Sequence, residues 1–356
     1  MPHRVLQCDS DSPFDRMIGV GGIGTGLFFA LEGEHTLGRN ESRPARLLNV
    51  RDYGKLHIIS HYVAVLLGAD REGSRFQVIP VAKVGGDEPG QRMLAEMAAA
   101  GIDTSRVEIV SNQPTLLSVC FQYPDGSGGN ITTNQSAASA LSCKDLERHL
   151  ASLAIDSRCI ILSAPEAPFA TRCLLLKLAG DAGAFRAAAF TSTEMDSARE
   201  ERAFSSVDLL AMNEDEGAAV TGAAFNPANP QPFLDRCAET LLAFQPKLKI
   251  ILSAGKHGAF AFKQGTWHVR PAVDVPLVST AGAGDALLAG ALAALAVGTP
   301  FVCEKSGLTR SLQPNLPFED AFDLGVLLAA FTISSPHTIH PDANLESLVA
   351  FARRRE

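Results

Sequence analysis

The stretch STAGAGD at residues 279–285, which runs directly into ALLAGALAAL at residues 286–295, joins a glycine-rich turn to the start of an apolar helix. Its small residues let the backbone approach a ligand closely. The free N–H groups at a helix start, at the positive end of the helix dipole, favour a phosphate or a developing oxyanion. We therefore expect an anion site here, with the Asp285 carboxylate placed to accept a proton from an attacking hydroxyl. The alternative is that Asp285 only caps the helix and the glycines only form a tight turn.

Strands and helices alternate through most of the chain before this turn. Apolar residues at helical spacing predict a helix over 54–68, and a strand predicted over 158–163 is followed by a helix over 167–183. Such alternation implies a mainly parallel sheet covered by helices on both faces. Residues 17–31 are predicted to form one buried strand, and a further strand is predicted directly before Ser279.

Two segments do not follow this alternation. Residues 32–52 are polar and are predicted to be irregular, whereas residues 112–137 are predicted to form a hairpin with a turn at 124–126. Together with the end of the first strand, they define two segments, 27–52 and 112–137, that we expect to form a small separate lid. Residues 303–318 are predicted to be a surface loop between two helices.

The composition excludes several classes of protein. The chain has 356 residues, 46% of them hydrophobic and 20% charged, as in globular proteins. A net charge of −8 argues against a nucleic-acid partner. Seven scattered cysteines without a C-x-x-C pair indicate reduced thiols and a cytoplasmic protein. No signal peptide is recognised, and the apolar run at 286–302 is typical of a buried helix, so no membrane partner is expected.

The turn at 279–285 resembles the C-terminal signature D-T-x-G-A-G-D of the ribokinase-like (PfkB) carbohydrate kinase family, of which six positions fit at 280–285. The resemblance implies one domain over 1–356 with a ribokinase-like α/β fold. This fold is a three-layer αβα sandwich with a mainly parallel central sheet and a small β lid. The resemblance also implies ATP-dependent phosphorylation of a hydroxyl on a small sugar-like or nucleoside-like molecule. Asp285 would be the catalytic base, and the anion hole would be formed by Gly282, Ala283 and Gly284.

Three more stretches follow the order of the same family. NEDE at 213–216 is similar to its N-x-x-E motif, SAGKHG at 253–258 is similar to its T-x-G-x-x-G turn, and residues 84–103 are similar to a pattern of its N-terminal half. The resemblance implies that the nucleotide binds to a half of the chain spanning approximately 205–340. Its nucleotide-binding residues would be Asn213, Glu216, Ser253, Gly255, Gly258 and Thr280. Mg²⁺ would be held mainly by phosphates and water, with Glu216 acting through water.

The sequence departs from the family at three positions. Ser279 replaces an Asp that contributes to a monovalent-cation site in many relatives, so activation by potassium is uncertain. The run GGIGTG at 21–26 lacks the final carboxylate of the family pattern G-x-x-x-x-D, which holds sugar hydroxyls in relatives. The run GKLHII at 54–59 takes the place of the usual G-G-x-x-x-N. Other residues must therefore bind the substrate.

The predicted lid and the neighbouring helix offer candidates for that role. Arg39 and Arg43 lie in a segment dense in donors and acceptors, and each could bind a carboxylate or phosphate through two hydrogen bonds. The alternative is a solvated loop with internal ion pairs. His57 lies one helical turn before His61, and the alternative is that both are ordinary buried or surface residues. The candidate substrate-binding residues are Arg39, Asn40, Arg43, His57 and Asn134.

Two other functions remain open at this stage. GVGGIG at 19–24 fits the dinucleotide fingerprint G-x-G-x-x-G, with Glu41 at a suitable distance, which would indicate a dehydrogenase. Glycines and a proline interrupt the helix that this motif should open. A non-catalytic binding protein of the same fold is the second alternative, although such a protein has no chemical need for Asp285. The family resemblance also suggests a homodimer formed through the lid.

Overall fold

The structure is a computed structural model that describes residues 6–72, 75–124, 128–303 and 318–353. Most of the predicted loop at 303–318 and of the predicted turn at 124–126 lies outside these residues. Among the residues described, no helix has the length and apolar character that crossing a membrane requires.

Thirteen β-strands and ten α-helices occur in the described part of the chain. In chain order the strands are β1 (Arg16–Val20), β2 (Gly24–Leu31), β3 (Ala45–Tyr53), β4 (Gln77–Gly85), β5 (Val107–Val110), β6 (Leu116–Gln122), β7 (Gly128–Thr132), β8 (Cys159–Ser163), β9 (Phe185–Ala189), β10 (Leu209–Asn213), β11 (Lys249–Ser253), β12 (Ala259–Lys263) and β13 (Thr266–Arg270). The helices are α1 (Lys55–Leu67), α2 (Glu88–Ala99), α3 (Cys143–Leu150), α4 (Phe169–Asp181), α5 (Met195–Glu200), α6 (Glu214–Thr221), α7 (Gln231–Leu242), α8 (Ala283–Ala296), α9 (Ala321–Ile333) and α10 (Leu345–Arg353).

Nine strands form the central sheet in the order β13-β12-β11-β10-β9-β8-β1-β4-β5. All neighbouring pairs are parallel except β11–β12 and β12–β13. Alternate residues of a strand point to opposite faces. Met17 packs on the face covered by α1, α2, α8, α9 and α10, whereas Ile18 packs on the face covered by α3 to α7. The prediction of a mainly parallel sheet between two helical layers is confirmed.

Helix α1 confirms the prediction over 54–68. It begins at Lys55, and Gly68 ends it in the left-handed conformation with φ of 61°. Its buried side includes Leu56, Ile59 and Val63, and α1 packs against α8. This contact places the first residue of α1 beside the glycine-rich turn before α8.

A second, smaller sheet has the order β3-β2-β6-β7. The prediction of a single strand over 17–31 was wrong, because the chain leaves the central sheet after β1 and enters the small sheet at β2. Glycine permits this crossing: a Cβ at Gly24 would lie 2.5 Å from the Leu116 carbonyl oxygen. The prediction that 32–52 is irregular was wrong for β3. Arg46, Asn49 and Arg51 of β3 are exposed and polar, and Leu47 is exposed as well, so the strand lacks the apolar alternation of a buried strand.

No strand occurs in the described residues 271–278 directly before Ser279, contrary to the sequence prediction. Residues 271–278 form an irregular segment in which Pro271 and Pro276 have no N–H to donate to a neighbouring strand. This segment is fixed instead by α9, since the N–H groups of Val278 and Ser279 donate to the Ile333 carbonyl oxygen. The irregular path keeps 271–277 at the rim of a groove.

Candidate active site

Two cavities meet at the N-terminus of α8. The larger one, about 850 Å³, lies over the ends of β10 and β11, and the smaller one, about 290 Å³, lies beneath the small sheet. Four residues line both cavities: Lys55, Thr280, Gly282 and Asp285. Asp285 therefore stands where a molecule in one cavity would face a molecule in the other.

The turn before α8 depends on glycine at two positions for different reasons. Gly282 has φ of 79°, and a Cβ there would lie 2.6 Å from the Thr338 carbonyl oxygen. Gly284 has no such constraint, because a Cβ there would meet no atom within 4 Å. Gly284 also lines the larger cavity. The first N–H groups of a helix have no partners within it, so those of Gly284 and Asp285 are available to an anion in the groove, whereas the Ala283 N–H donates to the Thr280 carbonyl oxygen at 3.4 Å.

Asp285 forms an ion pair with Lys55, with 3.7 Å between Lys55 Nζ and Asp285 Oδ2. Burial raises the pKa of Asp285, and the charge of Lys55 acts in the opposite direction. The pKa of Lys55 is itself raised, first by Asp285 and against the effect of burial. The lysine therefore favours the ionised carboxylate that a base requires.

On the side of the larger cavity, Asn213 and Glu216 form a capping box at the start of α6. The Asn213 N–H donates to Glu216 Oε2 at 2.8 Å, and the Glu216 N–H donates to Asn213 Oδ1 at 2.8 Å. Both residues line the cavity. Burial raises the pKa of Glu216 to about 7, against the effects of the Asn213 N–H and Lys55. A nearby cation would offset this unfavourable burial of charge.

The turn after β11 completes that side. Ser253 lies opposite Asn213 in the sheet, and Ser253, Gly255 and Gly258 all line the cavity. Gly255 has φ of 49° and Gly258 has φ of 92°. All six residues expected to bind the nucleotide are thus brought to one groove, since Thr280 lines it as well.

The smaller cavity contains two further carboxylates, Asp52 and Glu166. Glu166 has φ of 72°, unusual for a residue with a Cβ, and its Oε2 accepts the Lys55 N–H at 2.9 Å. Burial raises the pKa of Glu166 to about 7, against the effect of the Lys55 charge. Burial likewise raises the pKa of Asp52. Ser279 also lines this cavity, and its Oγ accepts the Ala281 N–H.

The candidate substrate residues lie elsewhere. Arg43 is bound within its own loop, because its Nε donates to Glu41 Oε1 at 2.6 Å and its Nη1 donates to the His35 carbonyl oxygen at 2.7 Å. This arrangement corresponds to the alternative of an internal ion pair. His57 is fully buried in α1, and neither ring nitrogen has a hydrogen-bond partner. Arg39, Asn40 and Asn134 are exposed. None of these five described residues is among those that line either cavity.

Three charged residues that line the smaller cavity were not identified as site residues from the sequence: Asp52, Lys55 and Glu166. The only sequence signal for Lys55 is its position directly after Gly54, at the start of a predicted helix. The structure shows why glycine stands at 54, since a Cβ there would lie 2.5 Å from the Gly22 carbonyl oxygen. Glu166 follows the end of β8, where side chains of a parallel sheet often meet a ligand. Asp52 gives no signal, because it is one of several charges in an exposed strand.

The dinucleotide fingerprint at 19–24 has no structural support. β1 ends at Val20, and Gly24 begins a strand of the small sheet where the fingerprint requires a helix.

The fold with its glycine-capped helix at the meeting point of two cavities is that of the ribokinase-like α/β proteins. A family model described as pfkB family carbohydrate kinase matches residues 63–344, and the chain belongs to this family. A comparison with curated protein sequences gave no match.

Solved structures show the same fold at low sequence identity. A ribokinase from Cryptococcus neoformans in complex with ADP has a TM-score of 0.69 at 17% identity, covering 94% of this chain and 98% of that chain. A ribokinase from Thermotoga maritima has a TM-score of 0.66 at 19% identity, covering 94% and 98%. A nucleoside kinase from Burkholderia thailandensis in complex with inosine has a TM-score of 0.67 at 16% identity, covering 95% and 97%.

Proposed function

We propose that this protein transfers the γ-phosphoryl group of ATP to a hydroxyl of a small carbohydrate-like or nucleoside-like acceptor, with Asp285 as the base. The observation that carries the proposal is that Asp285, at the start of α8, lines both cavities and is paired with Lys55. A base for phosphoryl transfer must reach the acceptor hydroxyl and the transferring group together.

ATP would bind in the larger cavity. The N–H groups of Gly284 and Asp285 would bind the terminal phosphate, and Thr280, Ser253 and Gly255 would border the phosphates. Apolar side chains of α8 and α9 would flank the adenine ring of ATP: Leu288, Val326, Ala329, Ala330 and Ile333. The similar ribokinase solved in complex with ADP supports a nucleotide in this family's fold.

Magnesium would accompany the nucleotide. Among the described residues, no cluster of three or more His, Cys, Asp or Glu could hold a metal unaided, so a bound ion would depend on phosphates and water. Glu216 fits the role of a water-mediated partner, because its half-buried carboxylate lines the groove and has its pKa raised to about 7. The cation would neutralise phosphate charge. Ser279 brings no charge, so we expect turnover in potassium and in sodium to be similar.

In the chemical step, the acceptor oxygen would attack the γ-phosphorus while its proton passes to an Asp285 carboxylate oxygen. The new P–O bond forms as the bond to the β-phosphate oxygen breaks, which releases ADP. Charge that develops on the phosphoryl oxygens would be stabilised by the N–H groups at the start of α8. Lys55 would keep Asp285 ionised before the transfer.

The small sheet would act as a lid. Its strands β2, β6 and β7 supply one wall of the smaller cavity, so its closure would exclude water and limit hydrolysis of ATP. Its other face carries the exposed side chains of Leu27, Leu47 and Ile131, and Leu27 and Ile131 both lie opposite Val119. This apolar row supports a homodimer through the lid, which light scattering would measure as twice the chain mass.

The test starts with ADP release from Mg-ATP over a panel of sugars, sugar acids, sugar phosphates and nucleosides. With the most active acceptor, Asp285→Asn should lower kcat at least ~10²-fold while ATP binding is retained, since the amide keeps the shape but cannot take the proton. Asp196→Asn is a matched control, because the Asp196 side chain is 81% exposed. Near wild-type turnover in Asp285→Asn would exclude this role. Stabilisation by nucleotide without transfer to any acceptor would favour the non-catalytic alternative.

A further inference from the structure

The smaller cavity is acidic. The carboxylates of Asp52, Glu166 and Asp285 line it. Among its described lining residues, Lys55 is the only one with a positively charged side chain. Lys55 is already paired with Asp285. A substrate with a phosphate or carboxylate of its own would therefore meet two further carboxylates and no free cation in the described wall. Like charges repel more strongly in a partly buried site than in water.

Asp52 is built into this cavity by the register of the small sheet. It lies on β3 directly opposite Gly26 of β2, and it is only 8% exposed. A Cβ at position 26 would overlap the Asp52 carboxylate. Gly26 also lies opposite Ser118 of β6, another lining residue. The absence of a side chain at Gly26 therefore leaves room for the Asp52 carboxylate at the wall of the cavity.

The protein satisfies Asp52 only in part, through the Tyr53 N–H, the Cys120 thiol, the Thr338 hydroxyl and the charge of Lys55. The Cys120 thiol donates to Asp52 Oδ2 at 3.7 Å, and a thiol is a weak donor. Burial still outweighs these partners, because the pKa of Asp52 is raised above its ordinary value. A buried carboxylate that faces a cavity is normally satisfied by hydrogen bonds, and hydroxyl groups of a ligand would supply them.

We propose that Asp52 binds hydroxyl groups of the acceptor and that the acceptor is an uncharged polyol of monosaccharide to nucleoside size, not a sugar phosphate or sugar acid. This rests on the proposed function, in which the smaller cavity holds the acceptor. The cavity of about 290 Å³ lies just below the range of roughly 300–1,000 Å³ for small-molecule sites, so it suits a small acceptor. A carboxylate binds neighbouring hydroxyls well, because each of its two oxygens can accept a hydrogen bond.

The first experiment compares matched neutral and anionic probes. ADP release from Mg-ATP is measured with D-ribose and D-ribose 5-phosphate, D-fructose and D-fructose 6-phosphate, D-glucose and D-gluconate, and adenosine and AMP. We expect an uncharged member to have a kcat/KM at least ~10-fold above that of its anionic partner. A higher kcat/KM for the anionic members would overturn the inference and leave the kinase function standing. No ADP release with any probe would overturn the kinase function, and this assignment with it.

The second experiment tests Asp52 with the best uncharged probe. Asp52→Asn should raise the KM for the acceptor by about tenfold or more, because a charge-assisted hydrogen bond is lost, with a smaller change in kcat and an unchanged KM for ATP. Gly26→Ala should raise the same KM, since its methyl group would displace the carboxylate. The double variant should be no worse than the more impaired single variant.

Glu32→Gln provides the control, since Glu32 is an exposed carboxylate of the same lid that lines neither cavity. An unchanged acceptor KM in Asp52→Asn would overturn the role of Asp52, whatever Gly26→Ala does. An equal rise in the KM for ATP would show a general structural defect and would also count against the assignment.

Discussion

The two cavities that meet at Asp285 are built in different ways. The larger one is bordered in large part by main chain and small residues, at a helix start at 283–285, the turn at 253–258 and the capped start of α6, beside apolar side chains of α8 and α9. The smaller one is bordered by side chains from seven separate parts of the chain, among them Asp52, Lys55 and Glu166. One cavity is therefore made of local backbone geometry, and the other is made by tertiary assembly.

This difference explains why one cavity leaves motifs in the sequence and the other does not. Backbone N–H groups can approach a phosphate only where side chains are small, so glycine and alanine recur at fixed spacing. A side chain that reaches an acceptor can come from any strand whose register points it inward. The carboxylate absent at Gly26 is an example, because Asp52 on the paired strand occupies the same space.

The sharpest test of the backbone-built cavity is Gly284→Ala. A methyl group at 284 meets no protein atom within 4 Å but projects where the phosphate would contact N–H groups. We expect kcat/KM for ATP to fall on the order of 10²-fold, as when an anion-hole donor is lost. Stability should stay equal or rise by up to about 1 kcal/mol, since alanine favours a helix over glycine.

Gly282→Ala is the contrasting variant. Its φ of 79° and the nearby Thr338 carbonyl oxygen should make it lose stability as well as activity, as chemical denaturation would measure. Full activity in Gly284→Ala would show that the groove does not bind phosphate through the backbone at this turn.

The next largest expected effect is a loss of kcat when Lys55, which lines the smaller cavity, is replaced. Lys55→Met removes the positive charge beside Asp285, so the pKa of Asp285 should rise further because burial then acts unopposed. We expect kcat at pH 7 to fall roughly tenfold and to recover in part at pH 9, where the carboxylate ionises again.

Lys55→Arg retains the charge and should keep most of the turnover at pH 7. The measurement is kcat against pH for the wild type and both variants with one acceptor. A fall that is independent of pH in Lys55→Met would mean that the lysine acts in some other way than by keeping Asp285 ionised.

The smallest expected effect is a pH dependence of kcat/KM for ATP, which arises from Glu216 in the larger cavity. Burial raises the pKa of Glu216 to about 7, so kcat/KM for ATP should fall as pH drops through about 7, by roughly tenfold between pH 8 and pH 6. Glu216→Gln keeps the capping box, since glutamine at this position also accepts the Asn213 N–H. The variant should have lower activity with ATP and a flatter pH profile.

Stability gives an independent readout of the same residue. A carboxyl group whose pKa is raised on folding stabilises the protein below its ordinary pKa of 4.5 and loses that contribution as pH rises to about 7. The difference in unfolding free energy between Glu216→Gln and the wild type should therefore favour the variant more at pH 8 than at pH 5. An identical pH profile of kcat/KM in the variant and the wild type would remove Glu216 from the nucleotide site.

Most of the large-scale fold could be predicted from the sequence. The alternation of strands and helices and the caps at Gly68 and Gly282 are local properties of the chain, so α1, α8 and the parallel sheet were predicted. The small sheet was predicted only in part. Its strands have one exposed face, so β3 looked like an irregular polar segment, and β1 and β2 looked like one strand.

What the sequence by itself determined is the turn at 279–285 and the capping box at Asn213 and Glu216, because each depends on contacts between residues close in the chain. Only the tertiary structure decided which side chains surround the smaller cavity. Lys55 and Asp285 are 230 positions apart, and Asp52 is placed by its pairing with Gly26. Contacts across such separations depend on how helices pack and strands align, and neither can be predicted from any single segment of the sequence.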